Sequence, residues 1–266
     1  MKAVISTTYD DKYLFSLPIV TWCWNKLGVD VVCFMPFGEK EDIEKSRLVN
    51  DTIMANCPSK NNMQAYFIAP KHKEATYAQC SRLFASALDL PEEEILITSD
   101  ADMALFELPS YINGFTITGS DLTPLKQYPI CYLAANVKEW RSTFGINGKT
   151  YQECLDELLG GIEATEFRGN YWSKDQEHAY NCISVNPSVY HVARSNGITK
   201  FARNRCDRDD DYWKDDLKPT MIDAHLWRPG YDAINFEKIM YLLNKMYPNE
   251  NFDWLKEYRE NYIKLL

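Results

Sequence analysis

The 266-residue chain has no stretch approaching the ~20 consecutive apolar residues that cross a bilayer, and its opening MKAVISTTYDDKY turns polar after a few apolar positions. Neither a transmembrane segment nor a cleaved leader is expected, and the reading is a soluble, unprocessed, cytoplasmic protein. Lys and Arg form no block that could track a phosphate backbone, and 38 acidic against 29 basic residues leave a net charge of −9. Nucleic acid is therefore not expected as the main partner. The eight cysteines include no C-x-x-C pair and lie mostly in apolar segments. They read as reduced core thiols, which excludes a disulfide frame or a zinc site. Repeats, low-complexity tracts and an interdomain linker are also missing. What the chain does hold, 45% hydrophobic and 14% aromatic residues, supplies core for one compact α/β unit.

Short apolar runs alternate with amphipathic stretches. Lys2 to Thr8 reads as a strand, followed by a helix with Leu14, Leu17, Val20, Trp24 and Leu27 inward, Pro18 near its start and Gly28 as its stop. Val29 to Met35 and Ala65 to Ala69 read as further strands, with helices over Glu39 to Asn56 and Thr76 to Leu88. Strands and helices alternating at these lengths predict a parallel sheet with right-handed crossovers. Beyond Phe106 come strand-like GFTITGSDL and Pro129 to Val137, a helix over Gln152 to Ile162, and another starting near Ser173, where Gln176 at the third position suggests a capping box. The acidic CDRDDDYWKDD reads as a solvated loop, MIDAHLWRPGYD as a short strand and turn, and the tail as two helices.

The chemistry concentrates at ILITSDADMALF, Ile95 to Phe106. A buried strand ends in Asp100 and Asp102, and the carboxyl ends of parallel strands are where ligands bind. Two carboxylates at the rim of an apolar sheet repel unless a cation or water reaches both, which points to a divalent metal. The same D-x-D spacing recurs at Asp207/Asp209 and Asp209/Asp211, so context carries the argument. Of the four histidines, His72 sits in a charged KHK, His178 on a helix and His191 at the start of a strand-like HVA run. His225 stands in IDAHLWRPG. A lone histidine is ordinarily structural; only one joining the two carboxylates would, as a neutral imidazole, favour manganese over magnesium.

Five places in the right order, over roughly residues 2 to 230, make the chain resemble the GT-A nucleotide-sugar glycosyltransferases, most of all the glycogenin-like retaining enzymes of glycosyltransferase family 8. They are ISTTYDDKY, the CSRLF segment, Asp100-Ala101-Asp102, Lys174-Asp175-Gln176 behind Tyr171-Trp172, and IDAHLWRPG. The resemblance implies a GT-A, Rossmann-like α/β fold: a mainly parallel central sheet flanked by helices, with C-terminal helices. It implies one domain over 1–266, with a nucleotide-binding half (1–106), an acceptor half (107–232) and a helical tail (233–266).

The same resemblance implies the site. Thr7 and Thr8 would lie beside the uridine and Tyr13 over the uracil, with Arg82 near the donor. Asp100, Asp102 and His225 would hold Mn2+ or Mg2+, and Asp100 would also touch the donor. Asp175 and Gln176 would lie by the anomeric carbon, although an Asp and a Gln opening a helix are also ordinary capping residues. Where the family continues through a glycine to Lys-Pro-Trp, the chain departs from it: Leu226-Trp227-Arg228-Pro229-Gly230 is shorter and carries an arginine, whose guanidinium fork suits the oxygens of the diphosphate. The implied activity moves a hexose, UDP-glucose first among donors, to a carbohydrate or hydroxyl acceptor with retention, since no third acid is marked as a general base; Asp175 would be the base of an inverting variant. CYLAAN replaces the family's asparagine-small-glycine turn, which implies a different acceptor from that of the best-known relatives. A sugar-phosphate nucleotidyltransferase would need a glycine-rich, basic loop after the first strand, which ISTTYDD is not. A non-catalytic carbohydrate-binding module stays open at this point.

Overall fold

The computed structural model describes residues 1–36, 43–59, 61–71, 73–108, 112, 114–119, 126–160, 173–192 and 222–266. Its first strand, β1 (Lys2–Ser6), is fully buried at Ala3, Val4 and Ile5, as a strand covered on both faces must be. It pairs in parallel with β2 (Asp30–Pro36) on one side and β4 (Ile95–Thr98) on the other, and β3 (Met63–Ile68) continues in parallel beyond β2. Among the described residues seven strands form this sheet in the order β3-β2-β1-β4-β7-β6-β8, with β6 at Thr116–Thr118, β7 at Leu133–Asn136 and β8 at Tyr190–Val192. β7 runs antiparallel to both β4 and β6, while β6 and β8 are parallel. The chain winds outward from β1 to β3 and returns to the other side of β1 at β4, so a crevice opens beyond the ends of β1 and β4. A second, two-stranded ribbon joins β5 (Met103–Leu105) antiparallel to β9 (Asp223–His225), with Met103 opposite His225.

The helix predicted over Leu14 to Leu27 is two, α1 (Asp11–Leu14) and α2 (Leu17–Lys26). Pro18 has no N–H for the Leu14 carbonyl and its ring would strike it. The chain tightens ahead of it, Ser16 N–H donating to the Tyr13 carbonyl at 3.1 Å. Gly28, at φ +76°, supplies the left-handed turn that ends α2. α3 (Ile43–Asn56) comes next, and its predicted first turn from Glu39 lies outside the described residues.

The helix predicted over Thr76 to Leu88 is also divided. α4 (Glu74–Ser81) gives way to a 3₁₀ segment, Arg82–Ala87, kinked at Phe84. Ser81 Oγ donates back to the Ala78 carbonyl at 2.7 Å, a local bond that competes with the helical ladder. The strand predicted over Pro129 to Val137 shrinks to β7, since Tyr132 takes a left-handed φ of +62°. α5 (Val137–Thr143) starts on Asn136, α6 (Tyr151–Leu159) on a Thr150/Glu153 capping box, and α7 (Lys174–Ile183) behind Ser173. The capping box expected from Ser173 and Gln176 does not form. Ser173 Oγ donates instead to Glu177 at 3.0 Å, and Asp175's own carboxylate accepts the Gln176 N–H at 2.8 Å.

The tail helices α8 (Ala233–Met246) and α9 (Asp253–Ile263) pack on α1 and α2. Tyr258 stacks on Phe15 with ring centroids 5.0 Å apart and donates to its carbonyl at 3.1 Å, while Phe252 meets Trp22 edge-on at 4.9 Å. Gly230 is required there, because a Cβ would stand 2.9 Å from the Phe15 ring. Tyr171-Trp172, His72, Cys206 and the acidic run with Asp207, Asp209 and Asp211 lie outside the described residues. No described helix is long and apolar enough to cross a membrane.

Candidate active site

The crevice is built from backbone first. Beyond β1 the Thr7 N–H donates to the Phe34 carbonyl of β2 at 3.0 Å, and beyond β4 the Ser99 N–H donates to the Val4 carbonyl at 2.9 Å. Sheet pairing thus continues one residue past the strand ends and fixes where the next side chains leave. Thr7 is buried, the Thr8 hydroxyl accepts the Asp10 N–H at 3.3 Å, and Asp10 in turn caps α1 by accepting the Lys12 N–H. The short α1 then carries Tyr13 to the crevice wall.

On the inner side Arg82, at the junction of α4 with the 3₁₀ segment, is 5% exposed. Its guanidinium makes a close ion pair with Asp100 Oδ1, donates to the Ser99 carbonyl at 3.0 Å and reaches Asp175 Oδ2 at 3.3 Å. Burial alone would pull its pKa down, but Asp100 and Asp175 more than offset this and raise it above the ordinary arginine value. Asp175, in the first turn of α7, is still more deeply buried. Desolvation pushes its carboxyl up to about 6, against the opposing pull of Arg82 and the Gln176 N–H.

The β5–β9 ribbon builds the outer side. Asp102 immediately precedes β5, and the Leu226 N–H, just past β9, donates to its carbonyl at 2.8 Å. His225 is thereby set beside both acids across more than a hundred residues of chain. Its Nδ1 lies 3.6 Å from Asp102 Oδ2 and its Nε2 3.9 Å from Asp100 Oδ2. Both ring nitrogens are buried and make no hydrogen bond. Arg228, three residues on, places Nε 3.1 Å from Asp102 Oδ2, donates from Nη1 to the Tyr13 hydroxyl at 2.8 Å, and lies 5.2 Å from the centre of the Tyr13 ring. Burial raises the Tyr13 pKa and Arg228 partly counters it.

One cavity of about 400 Å³ is lined by Thr7, Thr8, Tyr13, Arg82, Asp100, Asp102, Asp175, Gln176, His225 and Arg228, the full set singled out in the sequence. That volume is within the range of small-molecule sites. Four aspartates, Asp10 among them, face two arginines in its lining.

Cys131 and Gln79 also line the cavity and were not expected there. The Cys131 thiol donates to Asp100 Oδ2 at 3.2 Å. It sits in a stretch whose apolar character reads as strand, and only the left-handed turn at Tyr132 brings it to the rim. Gln79 lies one helical turn before Arg82 on α4, a spacing that could have revealed it.

Two carboxylates and an imidazole with unsatisfied nitrogens are a donor set that suits a cation such as Mn2+. The chemistry of the residues fits such an ion. Among the described residues, however, no group of three His, Cys, Asp or Glu side chains is arranged to hold one. Arg82 and Arg228 hold the carboxylates instead.

No protein-family model and no curated protein matches the chain. Solved structures do. The apo form of the glycosyltransferase GlyE from Streptococcus pneumoniae TIGR4 matches with a TM-score of 0.50 at 12% identity, over 99% of this chain. The chain has a GT-A fold. It spans 63% of the GlyE chain. The galactosyltransferase LgtC, in complex with donor and acceptor sugar analogs, matches at 10% identity over 97% of this chain and 100% of its own, with a TM-score of 0.49 that adds no argument. At these identities the likeness to GlyE speaks for the GT-A fold alone.

Proposed function

We propose that the chain is a divalent-metal-dependent glycosyltransferase that moves a hexose from a UDP-sugar, UDP-glucose first, to a carbohydrate or hydroxyl acceptor with retention of configuration. The observation that carries this reading is the convergence of Asp100, Asp102 and His225 with Tyr13, Arg82, Arg228 and Asp175 on one cavity beyond the ends of β1 and β4. GlyE, which shares the fold, is itself a glycosyltransferase. In this reading the whole chain works as one GT-A domain, with residues 1–106 holding the nucleotide, 107–232 receiving the acceptor and 233–266 bracing the first two helices. Seven described cysteines carry free thiols, which accords with a reducing cytoplasm.

The chain's own groups then have distinct tasks. Tyr13 covers the uracil face, and Thr7 and Thr8 offer backbone and hydroxyl groups to the base and ribose. Arg228 presents a guanidinium fork to the diphosphate. Asp100, Asp102 and His225 would hold Mn2+ or Mg2+, which would supply positive charge to balance that of the departing diphosphate. Asp175, held by Arg82, binds sugar hydroxyls, and Gln176 lies on the face the acceptor approaches. Each described acid of the cavity is already engaged: Asp10 caps α1, Asp100 and Asp175 hold Arg82, and Asp102 meets Arg228. None stands free to take the acceptor's proton, and retention asks for no separate base.

A panel of UDP- and GDP-sugars incubated with the protein and Mn2+, assayed for nucleoside diphosphate, tests the reading. Slow hydrolysis of one UDP-sugar, abolished by EDTA, is expected. Absence of hydrolysis across the panel, with sugar binding that ignores both nucleotide and metal, would return the protein to the carbohydrate-binding modules.

A further inference from the structure

The two arginines of the site hold its two candidate metal carboxylates in different ways. Arg82 is buried and fixed by two backbone carbonyls, Gln79 and Ser99, besides its two acids. Arg228 lies nearer the solvent. Its side chain is 25% exposed, it leans on the Tyr13 ring, and its Nε meets Asp102 Oδ2 at 3.1 Å without the alignment of a hydrogen bond. The same Asp102 oxygen faces His225 Nδ1 at 3.6 Å. Arg228 thus stands against the carboxylate that a cation would need, and it stands within the cavity where a diphosphate would lie.

We propose that Arg228 is a latch on Asp102: in the ligand-free protein it neutralises this carboxylate and competes with the cation, and a diphosphate draws it away and frees the oxygen. This rests on the function proposed above. A guanidinium exchanges one anion for another at little cost when the second offers two oxygens to its fork. The phosphate that takes Arg228 would also offer oxygens to a bound ion. Metal and donor are therefore coupled by more than shared coordination: the free protein resists the metal, and the donor removes the resistance. Tyr13 takes part as the perch, since its hydroxyl accepts from Nη1 and its ring supports the cation's face.

The test is Mn2+ binding to the intact protein without nucleotide, monitored by electron paramagnetic resonance of free Mn2+ and by calorimetry, then repeated with saturating UDP. Arg228→Met should bind Mn2+ roughly fivefold more tightly than wild type in the absence of UDP, the fold-change expected for one partly exposed ion pair. UDP should tighten Mn2+ binding less in this variant than in wild type. Tyr13→Leu removes the perch at constant charge, and should tighten nucleotide-free Mn2+ binding by about twofold, which separates a latch from a mere change in local charge. If wild type binds Mn2+ and UDP but Arg228→Met binds free Mn2+ no more tightly, the latch is wrong and the function reading stands. If wild type binds neither, both fall.

Discussion

The inner and outer halves of the site are made of similar pieces, an arginine on an aspartate, yet they are built to different standards. In the inner half Arg82 and Asp175 are 7% and 4% exposed at their side chains, and the arginine's donors are divided among two acids and two carbonyls. In the outer half Arg228 is 25% exposed, and His225 meets Asp102 and Asp100 only at 3.6 and 3.9 Å. A saturated, buried network is expensive to disturb and holds its shape before any ligand arrives. An unsatisfied one has groups to offer. The inner half is therefore the preformed wall of the site, and the outer half is where donor and cation do their remodelling.

The contrast is most easily overturned at Arg82. Arg82→Ala leaves two acids without their cation, one of them buried, and should cost about 3 kcal/mol in urea unfolding without nucleotide or metal. A loss under about 1 kcal/mol would show that the inner network is no scaffold. Asp102→Ala should do the reverse, leaving the unfolding midpoint nearly unchanged while lowering donor hydrolysis about a hundredfold or more and removing metal-dependent UDP binding. Near-normal turnover in that variant would take the cation away from the outer half.

A third prediction concerns pH. Asp175 has a folded pKa of about 6, above the ordinary carboxylate value, because burial outweighs Arg82. A raised carboxyl favours the folded state when protonated, so its contribution is whole below about pH 4 and is lost as pH rises through about 6. Between those limits the metal-free wild type should lose roughly 2 kcal/mol of stability relative to Asp175→Asn, and chemical denaturation at pH 4 and pH 7 measures it. Parallel pH dependences in the two proteins would place the carboxyl in water. The smallest effect belongs to Tyr13→Ala, which should weaken UDP about fivefold and slow hydrolysis less at saturation. An unchanged UDP affinity would remove Tyr13 from the nucleoside.

Much of the site was legible in the chain, for reasons that differ from residue to residue. β1, β2 and β4 are short aliphatic runs with breakers at their ends, and a parallel strand delivers the residues just past its carboxyl end to the crevice, so Asp100 and Asp102 were placed by local pattern alone, whereas Thr7, which the pattern puts inside the first strand, was pointed to by the resemblance. His225 was not readable that way. What brings it in is the antiparallel pairing of β5 with β9, a contact between three-residue strands far apart in sequence, and only the resemblance to a family pointed there. The divided helix at Arg82 and the left-handed Tyr132 escaped for a different reason. A serine bonding back to its own helix and a bulky residue at positive φ are decided by tertiary packing and leave no periodic trace. Ser173 and Gln176 show the opposite failure: the capping signal was there, and Asp175, drawn inward to Arg82, took the Gln176 N–H first.

If the outer half joins a cation to a nucleotide, neither ligand should bind well without the other. Calorimetric titration of UDP into the wild-type protein, once with Mn2+ and once with EDTA, decides this in a single comparison. Saturable binding that appears with Mn2+ and is lost or weakened at least tenfold in EDTA is the expected result. Binding of equal strength in both, or in neither, would contradict it.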